Sequence, residues 1–211
     1  MSVGKTTTEE TIASKPGAVE GAPETTKVMT RDEAITHLKK YVTNKNLLKH
    51  MIAAEVVMAR LARHFGENEE LWGLAGLLHD IDYDRTKDDP ASHSKVGADI
   101  LASLGLPGEV VYAVKVHNEY HGLPRKSLMD KALYAVDPLT GLIVAGALIK
   151  PEKKLAAIDT AFLLNRFNEK SFAKGANREQ IAACSELGLS LEEFLDLGLE
   201  AMQANHKELG L

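Results

Sequence analysis

Histidine and aspartate recur in this 211-residue sequence at positions where helical spacing calls for apolar side chains. His50 shares a stripe with Ala54, Val57 and Leu61, so its imidazole points the way their side chains do. The run Leu71-Trp72-Gly73-Leu74-Ala75-Gly76-Leu77-Leu78 is almost wholly apolar and ends in His79-Asp80. Two adjacent polar groups there are costly to bury unless something binds them. His93 is in register with Val96, Gly97, Ile100 and Leu104, and His117 with Val110 and Val114. Asp137 falls on a stripe with Leu133, Gly141 and Val144, where a lone charged carboxylate is disfavoured. Taken singly, each has an ordinary explanation. A histidine on an apolar face is commonly a core residue bonded to a backbone carbonyl. His79-Asp80 and His117 also suit helix ends, His93 a solvated first turn after Asp89-Pro90, and Asp137 a bend before Pro138. Taken together, five helices share one habit, and a single metal cation would compensate all of these polar groups at once.

The elements that must carry these residues are helices. From Thr30 onward apolar residues recur at three and four, which predicts an all-α fold with helices near 31–42, 45–65, 69–80, 91–104, 107–119, 128–148, 152–166, 178–187 and 191–207. Thr30 with Glu33, Ser127 with Asp130, Asn177 with Gln180 and Ser190 with Glu193 have capping-box spacing. Gly66, Gly105, Gly122 and Gly188 follow periodic stretches and mark stops. Leu139 to Ile149, the most apolar run, is shorter than the about 20 residues a bilayer span needs. It reads as a buried helix in which Gly141, Ala145 and Gly146 allow close packing.

Residues 1–28 are rich in Thr, Glu, Gly, Ala and Pro, too poor in large apolar groups to offset the entropy of ordering, and are expected to be a disordered tail. Gly4-Lys5-Thr6 lacks the preceding glycine and strand of a phosphate-binding loop. Residues 29–150 form the candidate metal-binding domain, and 151–211 are expected to add helices that pack on it or form a homodimer contact, with apolar faces at Leu187, Leu191, Phe194, Leu195 and Met202. A net charge of −5 and a pI near 5.9 argue against a nucleic-acid polymer or an anionic membrane as partner. A single cysteine, Cys184, permits neither an internal disulfide nor a thiolate zinc site, which fits a reducing, cytoplasmic setting. It is expected to pack within its helix.

His50, then His79-Asp80, then Asp137 match the H…HD…D pattern, and over residues 30–150 the chain resembles the HD superfamily of metal-dependent phosphohydrolases. The local contexts match too, with Leu77-Leu78 before His79-Asp80 and Ala132-Leu133-Tyr134-Ala135-Val136 before Asp137. His93 and His117 resemble the second-metal histidines of the dinuclear branch, which includes diadenosine-tetraphosphate hydrolases and cyclic-dinucleotide phosphodiesterases. After His117 the sequence Asn118-Glu119-Tyr120-His121-Gly122-Leu123-Pro124 lacks the doubled histidine and Gly-Tyr-Pro element of the latter group, which argues against a cyclic dinucleotide.

The resemblance implies that His50, His79, Asp80 and Asp137 hold one metal, and that Asp80 bridges to a second held by His93 and His117. His79 and Asp80 are its catalytic pair. Mixed imidazole and carboxylate donors without thiolate suit Fe, Mn, Co, Ni or Zn. The implied reaction is attack of metal-bound hydroxide on a phosphorylated small molecule, a nucleotide by preference. Arg85, Lys87, Lys95 and Lys131 are candidate phosphate contacts, while His64 and His121 are read as surface residues. Two other classes stay open: a di-iron oxygenase of the same type, and a non-catalytic HD-related signalling module.

Overall fold

The computed structural model describes Met1, Gly4 and residues 29–211; the expected disordered tail therefore lies almost entirely outside the described residues. The chain is all-helical, with no strand among the described residues. In order, the helices are α1 (Arg31–Tyr41), α2 (Lys45–Phe65), α3 (Glu69–Leu78), α4 (Tyr83–Thr86), α5 (Lys95–Ser103), α6 (Gly108–Val116), α7 (Leu128–Leu148), α8 (Thr160–Asn168), α9 (Arg178–Ala182), α10 (Leu191–Ala204) and α11 (His206–Leu209).

Local signals fix most of the boundaries. Thr30, Ser127 and Ser190 open α1, α7 and α10 with both halves of a capping box, while Asn177 caps α9 through the Glu179 and Gln180 amides. Each of the four predicted glycine stops has positive φ. Four predicted helices differ, among them 178–187, which is α9 followed by a 3₁₀ stretch at Ala183–Leu187. The 152–166 segment is a 3₁₀ turn at Leu155–Ala157, then α8, because extended Ile158 and Asp159 intervene and the Asp159 carboxylate caps the new start at Phe162. The 91–104 helix begins only at Lys95, because Ser94 sits in the left-handed region at φ 67. The 191–207 helix is interrupted at Asn205 between α10 and α11.

A long antiparallel-type packing of α2 against α3 and the central position of α7 organise the molecule. Gly76 is what lets α3 reach α2: a Cβ there would lie 2.6 Å from the Ala54 carbonyl oxygen. Gly198 plays the same part between α10 and α7, where a Cβ would meet Leu139 at 2.8 Å. Phe194, Leu195 and Met202 are fully buried in the apolar cluster that also contains Leu61, Leu77 and Leu139, so α10 covers the core of its own chain. Cys184 packs there too, and burial pushes its thiol pKa up.

Two expectations about α7 change. At 21 residues it is long and apolar enough, by length and composition, to cross a membrane; what distinguishes it is that 67 % of its apolar window is buried inside the fold. Within it Gly146 packs tightly, 3.1 Å from Leu163 to a Cβ, whereas Gly141 faces open space.

Gly76→Ala is expected to cost about 1–3 kcal/mol by overpacking the α2–α3 contact. Gly141→Ala, with open space and an ordinary helical φ, is expected to gain about 0.5–1 kcal/mol from helix propensity. Denaturant midpoints at constant m-value measure both.

Candidate metal centre

The six residues arrive from five parts of the helical frame. His50 comes from α2, His79 and Asp80 from the end of α3, His93 from the turn before α5, His117 from the end of α6 and Asp137 from the middle of α7. Their functional atoms converge. His50 Nε2 lies 3.1 Å from His79 Nε2 and 3.2 Å from Asp137 Oδ1. Asp80 divides its carboxylate between two groups: Oδ2 is 3.5 Å from His79 Nε2 and 3.7 Å from His50 Nε2. Oδ1 is 3.4 Å from His93 Nε2 and 3.6 Å from His117 Nε2.

The other nitrogen of every ring is tied outward, which fixes the tautomers. His79 Nδ1 donates to the Gly76 carbonyl at 2.8 Å and His117 Nδ1 to the Val114 carbonyl at 2.6 Å, both one turn back along their own helices. His93 Nδ1 donates to Asp82 Oδ1 at 3.1 Å. The Thr140 hydroxyl donates to the Asp137 carbonyl and so accepts from His50 Nδ1 at 2.9 Å. In neutral rings all four Nε2 atoms therefore present lone pairs to one space. His117 Nε2 is buried with no hydrogen-bond partner. An orphaned lone pair, carboxylates and no thiolate form a donor set that fits a divalent metal ion.

Electrostatics tell the same story for the metal-free chain. Burial opposes charge on His79, yet the Asp80 and Asp137 carboxylates outweigh it and raise its pKa to about 9. Burial favours neutral Asp80, but the His79 charge lowers its pKa to about 2. Asp137 follows the same balance, burial against bonds from His50 and His79, and ends well below the ordinary carboxylate range. A proton held among these groups occupies the place a cation would take.

Arg85 is exposed and stacks over Tyr41, its guanidinium carbon 5.3 Å from the ring centroid. Lys87 and Lys95 are exposed and Lys131 half-buried; among the described residues none of the four is bonded to the cluster. Two clefts reach the cluster: one of about 410 Å³ at His50 and Thr140, lined also by Lys49, and one of about 370 Å³ lined by His50, Asp137, Gly141, Ala173 and Lys174. The outer wall of the latter, residues 173–176, is held by Arg178, which donates to the carbonyls of Phe172, Ala173 and Ala176 at 2.6, 3.0 and 2.7 Å. Lys174 had no register signal to single it out, being one exposed lysine among many. His121 is not a plain surface residue either: half-buried, its Nε2 donates to the His93 carbonyl at 2.7 Å. His64 is exposed as expected.

Comparison with known proteins agrees with this arrangement. Residues 47–172 match the family described as HD domain. The ribonuclease Y of Desulfotalea psychrophila is 32 % identical over 97 residues, 46 % of this chain and 18 % of that protein. That of Oleidesulfovibrio alaskensis is 31 % identical over 104 residues, 48 % of this chain and 20 % of that protein. That of Chloroflexus aurantiacus is 28 % identical over 145 residues, 66 % of this chain and 28 % of that protein. The chain thus spans about a fifth of the length of the first curated relatives it matches. No solved structure matches. With six convergent donors and a family match over more than half its length, this chain belongs to the HD domain family.

Proposed function

We propose that this protein is a metal-dependent phosphohydrolase that cleaves a phosphate ester of a small molecule, a nucleotide by preference. The observation that carries the reading is the division of Asp80, one oxygen toward His50 and His79 and the other toward His93 and His117. One carboxylate facing two sets of imidazole lone pairs suits two cations side by side, with His50, His79, Asp80 and Asp137 holding one and Asp80, His93 and His117 the other. When bound, such cations activate water near neutral pH and neutralise charge on a phosphoryl group.

The chain's own residues do the rest. Outward ties through Gly76, Val114, Thr140 and Asp82 hold the four rings in one orientation, so little reorganisation accompanies loading. Asp137, on the cleft side, is about one third exposed, so substrate approaches past it between α7 and residues 173–176. Lys174 lines that approach and is the cation assigned here to meet an incoming phosphate. This role replaces the one expected of Arg85, Lys87, Lys95 and Lys131.

A second reading, hydrolysis of an RNA phosphodiester, is supported by the name ribonuclease Y on the relatives above. The net charge of −5 gives an RNA backbone little to hold and favours the small-molecule reading. The test is hydrolysis by chelator-treated protein reloaded with Mn, Co, Ni, Fe or Zn, read as phosphate release from nucleotides and simple phosphate esters and as strand shortening for RNA. Turnover of RNA alone would select the second reading, and no hydrolysis of any substrate by metal-loaded protein would overturn both.

Asp80→Ala is expected to empty the site by elemental analysis and to lower kcat/KM by about 10³-fold or more. Lys174→Ala is expected to raise KM several-fold with kcat little changed, as steady-state kinetics on a phosphate ester would read. The metal-free chain is also expected to have a pH signature. Asp80 and Asp137 are depressed, so their contribution is present above the unfolded value near 3.9 and lost as pH falls toward 2. His79 is raised, so its contribution is complete below about 6.5 and lost as pH rises through about 9. Thermal melts in chelator should fall between pH 6.5 and 9.5, and saturating metal, which requires neutral imidazoles, should abolish that fall.

A further inference from the structure

Of the four rings, His93 alone has a carboxylate as its outward partner; the others bind the Gly76 and Val114 carbonyls and the Thr140 hydroxyl. That carboxylate, Asp82, is fully buried and fully used. One oxygen accepts from His93 Nδ1, and the other accepts the Ser94 amide at 2.9 Å and the Gly97 amide at 2.8 Å. His93 also differs in its support. Whereas His79 and His117 sit at the ends of helices whose own carbonyls orient their rings, His93 lies in the turn before its helix, and its Nδ1 meets side chains, Asp82 Oδ1 at 3.1 Å and Thr86 Oγ1 at 3.4 Å, rather than a backbone carbonyl.

Other elements supply what the helix does not. His121 and Asn118 bond the His93 carbonyl at 2.7 and 3.2 Å, and Ser94 Oγ bonds the Lys115 carbonyl at 2.9 Å. Between them Ser94 is held at φ 67, a left-handed conformation that side chains other than glycine seldom adopt. Asp82 bridges this bend, reaching across it to the first turn of α5. There is no room to spare: a Cβ on Gly97 would lie 3.3 Å from the Asp82 carboxyl carbon.

We propose that Asp82 is the positioning residue for the second metal position, fixing the tautomer and direction of His93 and strengthening it as a donor through an anionic hydrogen bond. This inference rests on the two-metal reading above. Carboxylate partners of ligating histidines contribute about 10–100-fold in metal affinity, and here that contribution falls on one position of the two. The first position does not depend on Asp82, since its rings are braced by Gly76 and Thr140.

Cobalt(II) titration of the chelator-treated full chain, followed by calorimetry and visible absorption, separates the possibilities. Wild type is expected to take two equivalents, each with its own absorption change. Asp82→Asn, which keeps the size and removes the charge, should bind the first equivalent as wild type does and the second about 10–100-fold more weakly, without its spectral signature. Gly97→Ala, which crowds the Asp82 carboxylate and touches no ligand, should weaken the second equivalent alone by a smaller factor, and it serves as the test if Asp82→Asn fails to fold. Two unchanged equivalents in both variants would overturn the role of Asp82 and leave the metal centre standing. Loss of both equivalents in step with thermal stability would reduce Asp82 to a structural part and also overturn it. A wild type that binds one equivalent or none would instead overturn the two-metal reading.

Discussion

Four imidazole lone pairs and two carboxylates aimed at one another at the inner end of a cleft form an arrangement that repels itself unless something positive lies between them. In the metal-free chain a proton on His79 partly serves, which is why that ring titrates near 9 while the two aspartates sit far below their ordinary range. His117 Nε2, buried without a hydrogen-bond partner, lies 3.6 Å from Asp80 Oδ1. The rest of the fold can be understood as the framework that keeps these six groups facing inward despite their mutual cost.

The framework works by spending the outward nitrogen of each ring. Where a helix runs up to the site, the carbonyl one turn back is already in reach, so His79 and His117 need nothing beyond their own helices. Where the ring lies in mid-helix, as His50 does, a neighbouring helix must supply the partner, and Thr140 does so while bonding the carbonyl of Asp137. That places two donors from α2 and α7 in one hydrogen-bonded chain. Close approach of the helices is a precondition: α3 delivers His79-Asp80 only because Gly76 lets its backbone touch that of α2.

This division also explains what could be read from the sequence. Polar residues set into an apolar stripe are visible by periodicity alone, so His50, His93, His117 and Asp137 stood out together with the His79-Asp80 pair. Capping chemistry is equally local, and Thr30, Ser127 and Ser190 announced the starts of α1, α7 and α10. Asp82 and Thr140 were not visible as partners, because what marks them is the identity of an atom 11 or 90 residues away, which no spacing rule contains. Spacing does not decide the phosphate contacts for a related reason. Arg85 is near the HD pair in sequence, but the short helix α4 turns it toward Tyr41, while Lys174, remote in sequence, is brought to the cleft by the carbonyls that Arg178 gathers.

The two halves of the centre consequently differ in kind. Around His50, His79 and Asp137 the supports are long helices, α2, α3 and α7, whose mutual packing is the core itself, so disturbing the ligands means disturbing the fold. Around His93 the supports are side chains and single hydrogen bonds across a bend that holds Ser94 in a left-handed conformation. A site built on helix packing can be rigid without being tuned, whereas one built on a few polar contacts is adjustable by single substitutions. A change of one hydrogen-bond partner on the His93 side therefore alters the setting of one ring and leaves the helix packing of the core intact.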